Sequence, residues 1–167
     1  FKLERNFMSL ADDVVVLSKA TKNIIINDYK IHKDKLSLIY NGLDISDIPE
    51  VTENSVESFM GNNVKYLLYV GRLDDIKGVT YLIKAFNILS KEDEKLHLII
   101  VGDGNFTSCL NAAKGNWERI TFTGKISKED LRLIYPKIAL GILPSFHEQC
   151  SYAAIEMMAH GIPMVIT

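Results

Sequence analysis

The sequence has few cysteines, no excess of positive charge and no long apolar run, and each absence excludes a class of protein. Cys109 and Cys150 are too few for a disulfide framework, so we expect free thiols in a reducing cytoplasm. A formal net charge of −2 argues against nucleic-acid binding. No run approaches the roughly 20 apolar residues that span a bilayer, so we expect no transmembrane segment.

The first residues also lack an initiator Met and an apolar leader. The start FKLER has no hydrophobic region of the kind found in signal peptides. We therefore expect a cytoplasmic location, and we interpret the missing Met as a sign that the chain is a piece of a longer protein.

What the sequence does contain is a regular alternation of apolar strands and amphipathic helices. The strands are near-continuous apolar runs, as expected when helices cover both faces of a sheet. The alternation predicts a Rossmann-like, doubly wound parallel α/β sheet. We predict its strands at 64–70, 96–101, 119–123, 138–143 and 163–167, and its helices at 79–90, 105–114, 127–135 and 152–160.

A separate, smaller α/β segment precedes this series. We predict short strands at 14–17 and 36–40, with Ser18 capping a helix between them. The stretch 46–62 is acidic, contains Pro49 and shows no clear periodicity. It predicts a connector between residues 1–45 and 63–167.

The predicted topology locates a ligand site. If the sheet follows the common 3-2-1-4-5-6 order, strands 64–70 and 138–143 lie side by side where ligands bind such sheets. The loop after the first strand carries Arg72 and Lys77, and the loop after the second carries Glu148. We expect these three charges in one crevice.

Each charged candidate also has a structural alternative. Arg72 and Lys77, in YVGRLDDIKGV, form either a clamp for a diphosphate or surface ion pairs with Asp74 and Asp75. A metal site on the two aspartates lacks further ligands that we can identify. In VGDGNF, Thr107 replaces the third glycine of a dinucleotide fingerprint, so a turn is the better interpretation and a dehydrogenase is disfavoured.

The two glutamates near the end of the chain are equally ambiguous. Glu156 is the only acid in the apolar helix AAIEMMA, where it lies on a solvent edge or binds a vicinal diol such as a ribose. Glu148 fits a capping box with Ser145 or contacts a ligand. His147 and His160 are interpreted as structural.

Two motifs together resemble a known family. GRLDDIKG, followed by PSFHEQCSYAAIEMMAHGIPMV, is similar to the donor-domain pattern of retaining glycosyltransferases of family 4, which have the GT-B fold. Glu148 and Glu156 occupy the two glutamate positions of that pattern, and Met157 stands where Ala is usual. Upstream, ADDVVVLSKATKNII and LSLIYNGLD resemble the end of the family's N-terminal domain.

The resemblance implies a domain assignment. Residues 1–45 would be a remnant of the N-terminal acceptor domain, 46–62 the connector, and 63–167 a nucleotide-sugar-binding domain truncated at its C-terminus. A fragment of this kind is expected to have no transferase activity alone.

The resemblance also implies residue roles. Arg72 and Lys77 would bind the donor diphosphate and stabilise its developing charge, Glu148 would contact the donor sugar, and Glu156 the ribose. We count Arg72, Lys77 and Glu148 as catalytic. The base would lie on the backbone of Lys125 and Ile126. The remaining donor-binding residues implied are Gly71, Ser145, Gln149, Cys150, Ser151 and Tyr152.

The implied partners are a nucleotide-sugar donor and an unknown glycan, lipid or protein acceptor, with no cofactor and no metal. The resemblance leaves room for peripheral membrane contact through the missing domain. Gln149 and Ser151 stand where the family often has glycines, which leaves the donor sugar open. The alternatives are a non-catalytic GT-B-like subunit and a nucleotide-sugar epimerase of the same fold.

Overall fold

The fold described here is that of a computed structural model, which covers residues 2–44, 60–61 and 63–167. The chain divides into two compact units. The first contains the described residues up to Gly42 together with Glu148–Tyr152, and the second contains those of Leu43–His147 and Ala153–Thr167. Within the described residues, no helix is long and apolar enough to cross a membrane.

The first unit is a small parallel α/β segment. Ser18 accepts a hydrogen bond from the backbone N–H of Thr21 at 3.0 Å, which confirms the predicted helix cap. The core of the unit consists of Val16, Ile25, Ile31 and Leu36. Its elements are α1 (Lys2–Leu10), which the sequence analysis did not predict, β1 (Val14–Val16), α2 (Lys19–Asn27) and β2 (Leu36–Leu38).

The second unit is built on a five-stranded sheet in which every neighbouring pair is parallel. The strand order is β5-β4-β3-β6-β7, which is the predicted 3-2-1-4-5 arrangement. Within this sheet, no predicted strand end differs from the observed one by more than one residue, whereas the predicted strand 36–40 of the first unit ends two residues earlier, at Leu38. The strands are β3 (Lys65–Val70), β4 (Leu96–Val101), β5 (Ile120–Gly124), β6 (Ile138–Leu143) and β7 (Met164–Ile166).

Helices follow the strands of this sheet and bury an apolar stripe against it. In the first helix Leu82, Ile83 and Phe86 are buried, as the i, i+3, i+4 spacing predicts. Ser127 caps a later helix, where its hydroxyl accepts from the backbone N–H of Asp130 at 3.0 Å. The helices are α3 (Val79–Leu89), α4 (Phe106–Ala112), α5 (Lys128–Ile134) and α6 (Tyr152–Ala159).

The arrangement of β3 and β6 positions the site. The two strands pair in parallel, with Leu68 opposite Gly141. Their carboxyl ends therefore meet at the same edge of the sheet, which confirms the predicted topological switch point. The predicted connector lies outside the described residues except at Met60, which is buried in the core, and Gly61.

Candidate functional site

The loops that follow β3 and β6 are held against each other. The backbone N–H of Phe146 donates to the carbonyl of Ile76 at 2.9 Å. Gly78 has a φ of 67°, and a Cβ at this position would lie 2.0 Å from the carbonyl oxygen of Pro144. Only glycine fits there, because a side chain would meet both an unfavourable φ and a backbone atom. The contact fixes the short turn that contains Lys77 against the loop after β6.

Arg72 lies in the first of these loops with an exposed side chain. Its backbone is fixed, because the buried Tyr69 hydroxyl donates to the Arg72 carbonyl at 2.7 Å. Its side chain is 74% exposed, and its guanidinium pairs with the carboxylate of Asp74 at 3.1 Å. The ion-pair alternative is thus realised for Arg72, but an exposed pair contributes only about 0–1 kcal/mol. A more highly charged anion can therefore compete with Asp74 for the guanidinium.

A cavity of about 360 Å³ opens at the carboxyl ends of β3 and β4. It brings together four of the predicted donor-site residues, two from the loop after β3 and two from the loop after β5. These are Gly71, Arg72, Lys125 and Ile126. The residues of its lining that were not predicted are Val70, Val101, Gly102, Asp103 and Leu131.

The VGDGNF segment forms one wall of this cavity as a turn. The backbone N–H of Leu73 donates to the Asp103 carbonyl at 2.8 Å, and that of Asn105 donates to the Leu73 carbonyl at 2.6 Å. Gly102 has a φ of 142°, and a Cβ there would lie 1.8 Å from the Gly71 carbonyl oxygen. The glycine that we interpreted as a turn signal therefore also allows two site loops to approach closely.

Glu156 is half-buried and hydrogen-bonded. The hydroxyl of Tyr135, a side chain only 2% exposed, donates to Glu156 Oε2 at 3.1 Å. The carboxylate is thus engaged by a buried donor, which the solvent-edge alternative does not anticipate. Glu156 and Tyr135 line a small pocket of about 10 Å³. The other residues of its lining are Leu43, Lys128, Leu131, Arg132 and His160.

Burial is the main cause of the pKa shifts of two groups near Glu156, Tyr135 and His160. Burial, followed by the charge of Glu156 and the hydrogen bond, raises the pKa of the Tyr135 hydroxyl, against a smaller opposing effect of Arg132. The phenol therefore stays protonated and can donate. Burial and then Arg132 lower the pKa of His160, which lies against the Tyr135 ring with centroids 4.6 Å apart. His160 is therefore neutral at pH 7.

Leu131 connects the two cavities. Its side chain lines both the cavity of Arg72, Lys125 and Ile126 and the pocket of Glu156. The two spaces are therefore neighbours that share one buried apolar residue of α5. The cavity lined by Arg72, Lys125 and Ile126 is thus next to the pocket lined by Glu156.

Five predicted residues, Glu148–Tyr152, group with the first unit. There the side-chain amide of Asn41 donates to the Cys150 carbonyl at 3.0 Å, and the backbone N–H of Gln149 donates to Glu148 Oε1 at 3.2 Å. The contacts of these residues with a donor stay predictions.

The capping-box alternative for Glu148 is wrong. A capping box needs a helix directly after its first residue, whereas α6 begins at Tyr152. Ser145 is instead buried, and its carbonyl accepts from the hydroxyl of Thr167 at 3.3 Å. Within the described ranges, no group of three or more His, Cys, Asp or Glu side chains is placed to hold a metal ion.

Family models match both parts of the chain. Residues 64–167 match the model described as Glycosyl transferases group 1, and residues 1–47 match that of Glycosyltransferase Family 4. This chain belongs to the group 1 glycosyltransferases. Mannosylfructose-phosphate synthase of Agrobacterium fabrum is 29% identical to it, over 100% of this chain and 42% of that relative.

Solved glycosyltransferases share the fold. The Anabaena protein HepE, crystallised with UDP-glucose, superposes with a TM-score of 0.81 at 20% identity, over 99% of this chain and 47% of its own. Sucrose-phosphate synthase from Thermosynechococcus elongatus gives a TM-score of 0.82 at 24% identity, over 99% and 43%. The predicted GT-B fold is confirmed. The chain spans less than half the length of each of these relatives.

Proposed function

We propose that this chain supplies the donor site of a retaining glycosyltransferase that moves a sugar from a nucleotide diphosphate to an acceptor. The observation that carries the proposal is the shared wall at Leu131, which places the Arg72 cavity beside the Glu156 pocket. A nucleoside diphosphate needs such a continuous series of contacts, because its base, ribose and diphosphate are covalently joined.

The chemistry assigned to each part follows from charge. As the bond between the sugar and the diphosphate breaks, negative charge grows on the leaving diphosphate. Fixed cations near that charge stabilise the transition state more than the ground state. Arg72 and Lys77 are the cations that we assign to this role, so the proposal includes no metal. The backbone of Lys125 and Ile126 receives the base.

The relatives support the donor class. HepE was crystallised with UDP-glucose, which makes UDP the first nucleotide to test here. Retention of configuration and the transfer itself are proposed from the family, and the acceptor stays open. The free thiols of Cys109 and Cys150 support a cytoplasmic location.

A binding and transfer experiment on the full-length protein tests the function. Calorimetry with UDP, GDP and ADP, and with their glucose conjugates, should give saturable binding of one nucleotide family. Proton NMR of the product then reports the anomeric configuration. Binding of none of the six ligands contradicts the donor-site proposal, and an inverted product contradicts retention alone.

Two glutamate variants test the division of roles. Glu156→Gln should weaken binding of the nucleoside diphosphate and the intact donor alike, by about tenfold, because both contain the ribose. Glu148→Gln should spare the nucleoside diphosphate and weaken only the intact donor. Equal losses for both ligands in both variants would refute the division.

A further inference from the structure

Tyr135 is held rigidly beside Glu156. It directly follows α5 and begins a short 3-10 turn whose next residue, Pro136, has a fixed φ. The side chain is 2% exposed, and its ring lies against His160 at a centroid distance of 4.6 Å. The hydroxyl thus has a defined position, from which it donates to Glu156 Oε2 at 3.1 Å.

A glutamate needs such a partner if it is to bind a diol. The last torsion of a glutamate side chain is broad, so the rotamer alone does not fix the plane of the carboxylate. A hydrogen bond from a rigid donor to one oxygen fixes that plane and leaves the second oxygen for a ligand. Among the described residues, no protein group donates to Glu156 Oε1.

We propose that the Tyr135 hydroxyl positions the Glu156 carboxylate to accept hydrogen bonds from the ribose of the donor nucleotide. Tyr135 is then a positioning residue, which acts through Glu156 and makes the site prefer a ribonucleotide to its 2′-deoxy form. The inference rests on the proposed function, because it assumes that Glu156 faces a nucleotide.

The protonation state of Tyr135 agrees with this role. A buried phenol whose pKa is raised remains a donor at every physiological pH. The other groups that face it, Arg132 and His160, are a cation and a neutral imidazole at pH 7. Tyr135 can therefore donate a hydrogen bond from its hydroxyl to the Glu156 carboxylate throughout the physiological pH range.

The test is a comparison of ribonucleotide with 2′-deoxyribonucleotide binding by calorimetry on the full-length protein. The probes are UDP and 2′-deoxy-UDP, with the GDP and ADP pairs measured in parallel. The wild type should prefer the ribose form by about tenfold or more, as expected for a hydrogen bond to a charged group. Tyr135→Phe should reduce that preference by about threefold to tenfold, and it should weaken the 2′-deoxy form, which keeps the 3′-hydroxyl, less than the ribose form.

A double-variant cycle tests whether Tyr135 acts through Glu156. Glu156→Gln should abolish the preference, and adding Tyr135→Phe to it should produce no further change. Tyr66→Phe is the matched control, because Tyr66 is also buried and its hydroxyl accepts from the backbone N–H of Gly61 at 2.9 Å, at the amino end of β3. That control should keep the full preference.

The binding results distinguish a failure of the inference from a failure of the proposed function. Equal weakening of both nucleotides by Tyr135→Phe indicates a merely structural role and overturns the inference alone. A wild type that binds both forms equally overturns the inference and the ribose role of Glu156. A wild type that binds no nucleotide overturns the proposed function as well.

A second variant guards against misfolding. The fold of Tyr135→Phe is checked by circular dichroism before binding is measured. Replacing Tyr135 by 3-fluorotyrosine retains the ring and the hydroxyl, so it should fold and keep the wild-type preference. Loss of the preference in that folded variant would also overturn the inference.

Discussion

Arg72 and Glu156, which line the two cavities that share Leu131, are held in opposite ways. The Arg72 side chain is 74% exposed, and its guanidinium pairs with a neighbouring carboxylate at the surface. The Glu156 carboxylate is half-buried and accepts from a phenol that is 2% exposed. The cation thus has a weak, replaceable partner, whereas the anion has a fixed one.

This difference suits the two parts of a nucleotide. A diphosphate is a strong anion, so it can displace Asp74 from Arg72 through charge alone. A ribose is neutral and offers only directional hydrogen bonds, so its acceptor must be oriented in advance. The following experiments test whether the two groups differ in this way.

The largest effect is expected from removing the cation. Arg72→Ala should lower kcat of the full-length protein by about 10²–10³, the scale of one lost electrostatic stabiliser. Lys77→Ala should lower kcat by a similar factor. In the double variant kcat should fall by less than the product of the two single reductions, because both cations bind one diphosphate. Steady-state kinetics with the donor identified by the binding screen measures these changes.

Lys65 offers a matched control for that experiment. It lies at the amino end of β3 and pairs with Asp93 at 2.8 Å, so it is also an exposed cation beside a carboxylate. Lys65→Ala should leave kcat unchanged. An unchanged kcat in Arg72→Ala would refute the role of the cation.

The next largest effect is expected from changing Gly78, the residue that follows Lys77. Gly78→Ala should lower the free energy of unfolding by about 2 kcal/mol or more, because a positive φ and a contact with the Pro144 carbonyl both oppose a side chain. Gly161→Ala is the control, since Gly161 has a φ of 70° but open space around its Cα. It should lose only about 1 kcal/mol. Equal losses in urea unfolding would show that the loop contact contributes nothing.

Much of the fold was predictable because its signals are local. The strand β4, LHLIIV, is an apolar run interrupted only by His97 that ends before Gly102, and its predicted and observed bounds coincide. Ser127 precedes α5 with the residue types of a helix cap. The helix α1 was not predicted, and it buries none of its residues, although Met8 packs against the core of the first unit.

The partners within the site were less predictable. Arg72 and Asp74 are two residues apart, so their ion pair could be anticipated as an alternative. Tyr135 and Glu156 are separated by 21 residues and meet only through the tertiary fold of the second unit. No local pattern marks such a pair. The same holds for Gly102 and Gly71, whose contact depends on the register of β3 and β4.

Removing the partner of Arg72 should have a small and opposite effect. Asp74 accepts from the backbone N–H of Lys77 at 3.2 Å as well as pairing with Arg72. Asp74→Asn keeps a cap oxygen but removes the negative charge. It should therefore strengthen nucleoside diphosphate binding by up to about fivefold, since an exposed pair is worth about 0–1 kcal/mol. Weaker binding at equal stability would indicate that Asp74 holds Arg72 in its active position.

The smallest effect concerns the pH dependence of stability. It compares His160, which lies near Glu156, with His97, which lies in a remote part of the sheet. Burial, with Arg132, lowers the pKa of His160, and burial alone lowers that of His97, whose Nε2 lies 2.8 Å from Thr121 Oγ1. Both side chains resist protonation in the folded state. As pH falls through the ordinary histidine value of 6.5, the unfolded chain takes up protons that the folded chain does not.

The stability contributed by these two histidines is thus present above that value and is lost as pH falls toward their lower folded pKa values. The Tm should be lower at about pH 5.5 than at about pH 7.5, and His160→Gln and His97→Gln should each reduce this difference. His160→Gln should also lower the Tm at the higher pH, because it removes the ring that lies against Tyr135. Thermal unfolding at both pH values measures the changes. A double variant with the full wild-type difference would show that other groups cause the acid sensitivity.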